Sequence, residues 1–413
     1  MGKRCICTII CSNYIAYART QYDSLRLHDP QCDYFVYVVD ADANTQKPFK
    51  DDRFTVVVPA QLFDADEYRR YSFLYNALEL STNVKPSLLK YLIRIGYSEV
   101  IYLDPDINIY NKPTSLFDHF SEGSILLTPH ALCPHEGELR PNDQDFLAGG
   151  IFNLGFIGVK YSHVAAEFLD WWEQRCLKLG YNEVRSGLMV DQKWVNLAPC
   201  YFDGVTILKN PGYNVAYWNL HERRVSKKNG VWHVNDEYPL IFYHFSGIRF
   251  DKDYQISKHQ NRFSLDTRNE LVPLFKDYCD QLVKKGIAET FHNPYKYGTF
   301  DNGEGITDLA RKMYYSYSEE VDGDPFCSSG DYYRWLKRNR MVGFSKTSES
   351  YNSMNYNTND IRIKIIHRML KLLLFLLGSD KYLMLMKYLS FISIIRNQNK
   401  IFIYSERSYL KGI

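Results

Sequence analysis

Two aspartates separated by a single proline follow an apolar run in the first third of the chain. Asp104-Pro105-Asp106 comes directly after Val100-Ile101-Tyr102-Leu103 and precedes the β-branched stretch Ile107-Asn108-Ile109. Because side chains alternate between the two faces of a strand, residues two apart can point the same way, and both carboxylates could hold one hard divalent cation. An Asp-x-Asp triplet also occurs in solvated turns, so this spacing alone leaves both interpretations open.

Apolar runs and helical patterns alternate along the first 250 residues. Strands are predicted over 5–11, 34–39, 55–58, 100–103, 125–127, 151–159, 205–208 and 240–243, and helices over 18–28, 71–80, 86–95 and 165–179. The helix 165–179 carries Phe168, Trp171, Trp172 and Cys176, which we expect to lie in the core. This order of elements predicts an α/β fold with a mostly parallel sheet, helices on both faces, and ligands at the carboxyl ends of the strands.

The composition describes a large globular protein without an overall charge bias. The chain has 413 residues, 45% of them hydrophobic, which is enough for two or three domains, and a formal charge of +2, which argues against a nucleic-acid partner. Its nine cysteines are scattered and are expected to be reduced thiols. No secretory signal pattern follows Met1, so the expected location is cytoplasmic, with the inner face of the plasma membrane as a further option.

The last fifty residues differ from the rest in composition. From residue 360 onward, ten basic residues face three acidic ones, a formal +7, whereas the whole chain carries +2. The apolar blocks 372–377 and 382–395 are shorter than a bilayer span needs. Lys364, Arg368 and Lys371 share one helical face opposite Ile363, Ile366, Leu370 and Leu373. The pattern indicates a basic amphipathic helix in peripheral contact with a membrane; packing on the catalytic body and an oligomer contact stay open.

Five segments together resemble the retaining glycosyltransferases of the GT-A fold, most closely the glycosyltransferase family 8 type. They are Thr8 to Tyr14 at the edge of the first strand, Ile101 to Asp106, Phe152-Asn153-Leu154-Gly155-Phe156, Asp191-Gln192, and His244-Phe245-Ser246-Gly247. The matches run in the order of that family between about residues 5 and 250. The family usually has a lysine three residues after the last glycine, where this chain has Phe250 between Arg249 and Lys252.

The resemblance implies a metal site and a donor site. Asp104, Asp106 and His244 would bind Mn²⁺ or Mg²⁺, with Asp104 also reaching the ribose; His244 as an ordinary core histidine is the competing interpretation. Thr8, Asn13, Tyr14, Lys85, Asp104 and Gly247 would contact the nucleotide sugar. For Asn13 the alternative is a helix cap, for Tyr14 it is packing, and for Lys85 it is an exposed surface position.

The resemblance also implies three residues close to the reacting carbon. Asp191 and Gln192 would lie near the anomeric carbon and Asn153 would align the donor sugar, although a helix start explains Asp191-Gln192 equally simply. Front-face substitution with retention is the implied outcome.

We therefore expect a metal-dependent glycosyltransferase that transfers a hexose from a UDP-linked sugar to a glycan or lipid-linked acceptor in surface polysaccharide biosynthesis. Two other hypotheses stay open: a catalytically silent, membrane-associated glycan-assembly protein and a sugar nucleotidyltransferase. The latter usually needs a glycine-rich basic loop, which residues 11–14 do not supply. The expected organisation is a GT-A, Rossmann-like domain over 1–255, a mainly helical extension over 256–346 with helices over 271–284 and 307–315, a linker over 347–360 and the basic tail over 361–413.

Overall fold

The computed structural model of the chain describes residues 2–41, 50–248, 255–343 and 359–404. Its strands are β1 (Lys3–Ile10), β2 (Asp33–Val38), β3 (Thr55–Val57), β4 (Tyr97–Leu103), β5 (Ile107–Ile109), β6 (Ile125–Pro129), β7 (Phe152–Lys160), β8 (Asn182–Glu183), β9 (Leu188–Met189), β10 (Val205–Ile207), β11 (Val225–Lys228), β12 (Val231–Val234), β13 (Tyr238–Pro239) and β14 (Phe242–His244). The residues Arg249, Phe250 and Lys252, most of the predicted linker (347–358) and the end of the tail (405–413) lie outside the described residues.

The helices predicted over 18–28, 86–95, 165–179, 271–284 and 307–315 are present, with small shifts at their ends, among the following helices of the described residues. They are α1 (Ile15–His28), α2 (Ala65–Leu74), α3 (Ala77–Asn83), α4 (Lys85–Arg94), α5 (Thr114–Asp118), α6 (Asp143–Gly149), α7 (His163–Leu179), α8 (Gln192–Val195), α9 (Ala198–Tyr201), α10 (Val272–Lys284), α11 (Ile287–Thr290), α12 (Asp308–Tyr317), α13 (Asp331–Arg338) and α14 (Ile361–Ile392). In α7 the side chains of Phe168, Trp172 and Cys176 are fully buried, as predicted, whereas Trp171 is only partly buried. No helix among the described residues is long and apolar enough to cross a membrane.

A seven-stranded sheet with the order β10-β6-β7-β4-β1-β2-β3 forms the centre of the described fold. β1 is parallel to β2 and β4, and β2–β3 and β10–β6 are parallel pairs. β7 is antiparallel to both of its neighbours, β4 and β6. The predicted α/β class with a mostly parallel sheet is confirmed. β1 reads as an unbroken apolar run because it lies between two strands and is buried from Cys5 to Ile10.

The two aspartates do not meet through the pleat of one strand, so that part of the prediction is wrong. Residues 104–106 form a turn between β4 and β5, closed by a hydrogen bond from the Ile107 amide to the Asp104 carbonyl at 3.0 Å. The chain leaves the main sheet at this turn, and β5 pairs instead with β14 in an antiparallel ribbon that sets Ile107 opposite His244. This ribbon brings the late histidine to the early aspartates.

The predicted helix over residues 71–80 is two helices, α2 and α3, separated at Tyr75-Asn76. The break has an electrostatic cause: the buried guanidinium of Arg311 donates hydrogen bonds to the carbonyls of Ser72 at 3.1 Å, Phe73 at 2.7 Å and Tyr75 at 3.1 Å. Carbonyls at a helix end need partners from outside the helix. A local pattern could not reveal a partner more than two hundred residues away.

The chain divides into two compact units. The first comprises Met1–Tyr71 and Ala77–Lys296, and the second comprises Ser72–Asn76 and Tyr297–Ile413. The predicted boundary at residue 255 therefore lies inside the first unit, which also contains α10 and α11. In the second unit, Phe73 packs edge-on against the rings of Tyr314 and Phe326, both 4.9 Å away between ring centroids.

Candidate functional site

Asp104, Asp106 and His244 converge at the turn after β4. The His244 Nε2 atom lies 2.9 Å from Asp106 Oδ1 and 3.8 Å from Asp104 Oδ2, and one ligand atom from each residue falls within 4.8 Å of the other two. His244 is buried, while both carboxylates are partly open to solvent. Two carboxylate oxygens and one imidazole nitrogen are a donor set suited to Mn²⁺ or Mg²⁺. The structure thus brings together all three residues predicted as metal ligands.

Backbone hydrogen bonds and one glycine fix the position of His244. Its amide donates to the Val215 carbonyl at 2.8 Å, and the next amide, of Phe245, donates to the Asp106 carbonyl at 2.9 Å. Gly155 lies directly against the imidazole, because a Cβ atom built there would approach His244 Cε1 to 2.4 Å and Nδ1 to 2.7 Å. The Phe-Asn-x-Gly segment therefore needs glycine at this position to leave room for the histidine.

A buried glutamine of α1 holds the turn that carries the two aspartates. The Gln21 side-chain amide donates to the Asp104 carbonyl at 2.7 Å and to the Ile107 carbonyl at 2.9 Å, while its oxygen accepts from the Tyr34 hydroxyl at 2.8 Å. The Tyr102 hydroxyl donates to Asp104 Oδ1 at 2.7 Å. Sequence reasoning missed Gln21, whose place on the inner face of α1 was its only signal.

Lys85 is buried and links two parts of the site. Its ammonium lies 2.6 Å from Asp191 Oδ2 and 3.9 Å from Asp104 Oδ1, and it donates to the Leu154 carbonyl at 2.7 Å. It also lies over the Tyr102 ring, 4.3 Å from the centroid. The alternative of an exposed surface lysine is therefore wrong. Burial raises the pKa of Asp191 to about 6 even though the neighbouring Lys85 lowers it.

Asn153 belongs to a buried network of amides. Its Oδ1 atom accepts from the Gly155 amide at 3.1 Å and from Asn214 Nδ2 at 3.0 Å, and its Nδ2 atom lies 3.3 Å from His130 Nε2. Asn214 Nδ2 also donates to Thr128 Oγ1 at 2.9 Å. The supporting residues come from the segments 126–130 and 214–219, which lie outside the family motifs and gave no local signal.

Trp218 joins the two buried histidines of the site. Its ring makes edge-to-face contacts with His244, at 5.0 Å between centroids, and with His130, at 5.3 Å. Burial, together with the nearby His244, lowers the pKa of His130 to about 4, so His130 is neutral at physiological pH. Burial also lowers the pKa of His244, but the carboxylates of Asp106 and Asp104 outweigh that effect and raise it above the usual value.

Gln192 connects the site to the loop before β7. Its Oε1 atom accepts from the Leu154 amide at 3.2 Å, and its Nε2 atom donates to the Gly149 carbonyl at 3.0 Å. Gln192 is also the first residue of α8, and Asp191 precedes it without making a side-chain cap. The helix start that was the alternative explanation for Asp191-Gln192 is thus present, together with the burial of Asp191 beside Lys85.

The rim after β1 gathers aromatic and amide groups. Tyr14 stacks on Tyr17, with centroids 4.9 Å apart, and its ring lies 5.8 Å from that of Phe291. Asn13 Nδ2 donates to the Phe291 carbonyl at 3.3 Å rather than capping α1. Burial, Asp106 and Cys11 together raise the pKa of Tyr14 to about 12, so its hydroxyl is protonated beside the metal group.

Thr8 and Gly247 lie at the remaining two predicted positions. Thr8 is fully buried in β1, and its hydroxyl has no hydrogen-bond partner among the described residues. Gly247 has a positive φ of 73°, and a Cβ atom there would come within 2.5 Å of the His259 ring and 2.7 Å of Ser257 Oγ. Glycine is therefore required at 247 by both conformation and space.

No family model matches the chain. It is 26% identical over 245 residues to the uncharacterised protein YfnF of Bacillus subtilis, covering 59% of this chain and 81% of that protein. It is 28% identical over 290 residues to the uncharacterised protein YfnD of the same organism, covering 64% and 91%.

Among solved structures, the chain is similar to the galactosyltransferase LgtC in complex with donor and acceptor sugar analogues. The identity is 14%, the TM-score is 0.37, and the match covers 68% of this chain and 95% of LgtC. The chain is thus similar to two uncharacterised Bacillus proteins and, more distantly, to a glycosyltransferase of known structure.

Proposed function

We propose that this protein is a metal-dependent glycosyltransferase that moves a hexose from a nucleotide sugar, UDP-linked, onto a glycan or lipid-linked acceptor with retention, in surface polysaccharide biosynthesis. The observation that carries the proposal is the convergence of Asp104, Asp106 and His244 on one point. His244 Nε2 lies 2.9 Å from a carboxylate oxygen of Asp106 and 3.8 Å from one of Asp104. Lys85 connects that point to Asp191. A metal group beside a buried carboxylate fits the transfer of a sugar away from a diphosphate.

The three residues fit a resident Mn²⁺ or Mg²⁺ ion by their chemistry and their surroundings. Two partly exposed carboxylates leave solvent-facing room for diphosphate oxygens, and Gly155 provides the space in which the His244 ring lies. A bound ion would neutralise the charge that develops on the departing nucleoside diphosphate. Asp106 would face the phosphates, and Asp104, whose Oδ1 atom is held by Tyr102, would also face the ribose.

The rim after β1 suits a planar base. The rings of Tyr14 and Phe291 lie 5.8 Å apart, and the Asn13 side-chain amide donates to the Phe291 carbonyl beside them. Stacking on tyrosine or phenylalanine combined with one amide hydrogen bond is a common way to bind a base. Thr8 contributes a buried hydroxyl from the same strand.

The buried carboxylate and amides would orient the donor sugar. Asp191 is held by Lys85 at 2.6 Å, which suits electrostatic support of a cationic, oxocarbenium-like centre better than covalent attack, because an ion-paired carboxylate is a weaker nucleophile. The Asn153 amide is fixed by Asn214 and Gly155, so it can present a hydrogen-bonding group in one orientation. Gln192 holds the backbone between these two residues.

Isothermal titration of the full-length protein with a panel of nucleoside diphosphates, with and without Mn²⁺, tests this proposal. We expect metal-dependent binding of one nucleoside diphosphate, its loss in Asp104→Asn, and slow metal-dependent hydrolysis of the matching nucleotide sugar. The control Asp203→Asn removes an exposed carboxylate of the same unit and should change neither. Absence of binding to every nucleotide would favour a silent assembly protein. Release of pyrophosphate when the protein is supplied with a nucleoside triphosphate and a sugar 1-phosphate would favour a nucleotidyltransferase.

A further inference from the structure

The first half of α14 carries an exposed row of large apolar side chains. Spacings of four, four, three and four residues put them on one face of the helix, and we call them the apolar stripe: Ile361, Ile365, Met369, Leu372 and Leu376. Each is more than half exposed, from 52% at Ile365 to 72% at Ile361. Single exposed apolar residues are ordinary, but a contiguous row of them marks an interaction surface.

The opposite face of the helix is partly buried. Ile363 is only 4% exposed, and Leu370 and Leu373 are half-buried. The apolar face that the sequence pattern assigned to the membrane is therefore turned largely inward, although Ile366 on the same face stays 49% exposed. The surface available to a partner is the apolar stripe.

Contacts after α14 also fix the tail. The Tyr317 hydroxyl donates to the Asn399 carbonyl at 3.2 Å and to the Phe402 carbonyl at 2.9 Å. Tyr404 is buried, and its ring lies 5.4 Å from that of Trp335. The chain that follows α14 is thus held within the second unit, and Ile363 near the start of the helix is buried, so the apolar stripe belongs to a folded element.

Positive charges run alongside the apolar stripe. Lys364, Arg368 and Lys371, the basic row, are exposed, and at 100° per residue they occupy the adjoining face of the helix. Among the described residues, no acidic side chain forms an ion pair with any of them. Phe375 continues the same row and is 84% exposed. Apolar and cationic groups side by side match the acyl boundary and the anionic headgroups of a lipid surface.

The helix is interrupted at Gly378, where φ is 73°. The part that follows repeats the same chemistry, with exposed Leu383 and Met384 and with Lys381 and Lys387. A change of direction between two such segments lets each lie along a surface at its own angle.

We propose that the first half of α14 docks on an anionic phospholipid bilayer, with the apolar stripe at the acyl boundary and the basic row among the headgroups. Charge favours this occupant over a second copy of the chain, because pairing two apolar stripes would bring two basic rows close together. The inference does not depend on the proposed transferase activity.

Sedimentation of the full-length protein with vesicles tests the docking surface. We expect binding to vesicles that contain phosphatidylglycerol, weaker binding to pure phosphatidylcholine, and a decline with added salt. The variant Lys364→Gln/Arg368→Gln/Lys371→Gln should lose roughly 100-fold in affinity for the anionic vesicles. The variant Met369→Ser/Leu372→Ser should lose at least about tenfold.

A matched control separates the basic row from net charge. The triple variant Lys178→Gln/Lys276→Gln/Lys284→Gln removes the same charge from exposed positions of the first unit and should bind as the parent does. Circular dichroism melting curves check that all variants fold alike. The proposal would be overturned if the protein did not bind vesicles, or if the control variant lost as much vesicle affinity as the basic-row variant. A dimer in sedimentation equilibrium that Met369→Ser/Leu372→Ser dissociates would also overturn it.

Discussion

The Lys85 ammonium lies 2.6 Å from Asp191 Oδ2 and 3.9 Å from Asp104 Oδ1, so one buried cation contacts two carboxylates that are far apart in the sequence. Asp104 follows β4 and Asp191 precedes α8. Neither carboxylate can move without changing its distance from the same ammonium. The lysine therefore couples the metal turn to the residue proposed to face the sugar.

Replacing Lys85 with methionine should damage both stability and turnover. Removing one partner of a buried ion pair leaves the other charge uncompensated, which typically costs about 3–5 kcal/mol. We expect a lower urea midpoint and a loss of transfer. The double variant Lys85→Met/Asp191→Asn should recover most of the stability and none of the activity. A single variant as stable as the parent would contradict the burial of this pair.

The stability of the protein should depend on pH through Asp191. Burial raises its pKa to about 6, from about 3.9 in an unfolded chain, so between these values the folded state binds more protons than the unfolded state. Its contribution to the free energy of unfolding therefore falls as the pH rises from about 4 to about 6. The free energy of unfolding of Asp191→Asn relative to that of the parent should therefore rise as the pH rises through this range. Urea unfolding of both proteins at several pH values measures it.

Substitution of Gly155 by alanine should displace His244. The added Cβ would lie 2.4 Å from the imidazole Cε1 atom, and a buried ring cannot yield without losing its position. We expect Mn²⁺ affinity to fall by at least about tenfold, measured by titration calorimetry. Gly149→Ala is the matched control, because a Cβ there meets nothing within 4 Å. Equal affinities in the two variants would show that the ring has room to shift.

Gln21→Leu should loosen the turn 104–106 without changing the side chain of any proposed metal ligand. The change removes two hydrogen bonds, to the carbonyls of Asp104 and Ile107, and we expect a destabilisation of about 1–3 kcal/mol and weaker Mn²⁺ binding. Tyr34→Phe removes only the donor to the glutamine oxygen and leaves both turn contacts intact. It should reduce stability with little change in metal affinity; equal metal affinity in both variants would exclude a positioning role for Gln21.

Asp106→Asn should abolish transfer while the fold survives. The substitution removes a negative oxygen next to His244 Nε2 with almost no change in volume. We expect metal affinity to fall by roughly 100-fold or more and turnover to become undetectable, with an unchanged circular dichroism spectrum. Full activity of the purified variant would refute the metal assignment.

The sequence predicted the strands of the seven-stranded sheet and the helices α1, α4 and α7 because their patterns are local. The short strands β8, β9 and β11 to β13 were not predicted. The apolar run of β1 and the helical spacing of Ala18, Tyr22 and Leu25 each reflect burial within one element. The antiparallel direction of β7 and the break at Tyr75-Asn76 depend on distant partners, so no window of residues could reveal them.

The candidate site shows the same division. Its ligand atoms follow from motifs: Asp104, Asp106 and His244 carry chemistry that the sequence displays directly. The groups that hold them, such as Gln21 and Asn214, are ordinary amides whose importance lies in the hydrogen bonds they make after folding.

The Arg311 contacts have a consequence for synthesis of the chain. The carbonyl of Phe73 accepts a hydrogen bond from the guanidinium of Arg311, 238 residues further along the chain. The short segment Ser72–Asn76 therefore leaves the ribosome long before Arg311 is synthesised. Until then, the Phe73 ring and its neighbouring carbonyls have no final place, and such transiently exposed apolar groups are where aggregation begins. A ribosome that stalls between residues 297 and 311 would release a chain whose first unit is fully synthesised but interrupted by five residues that belong to the second unit.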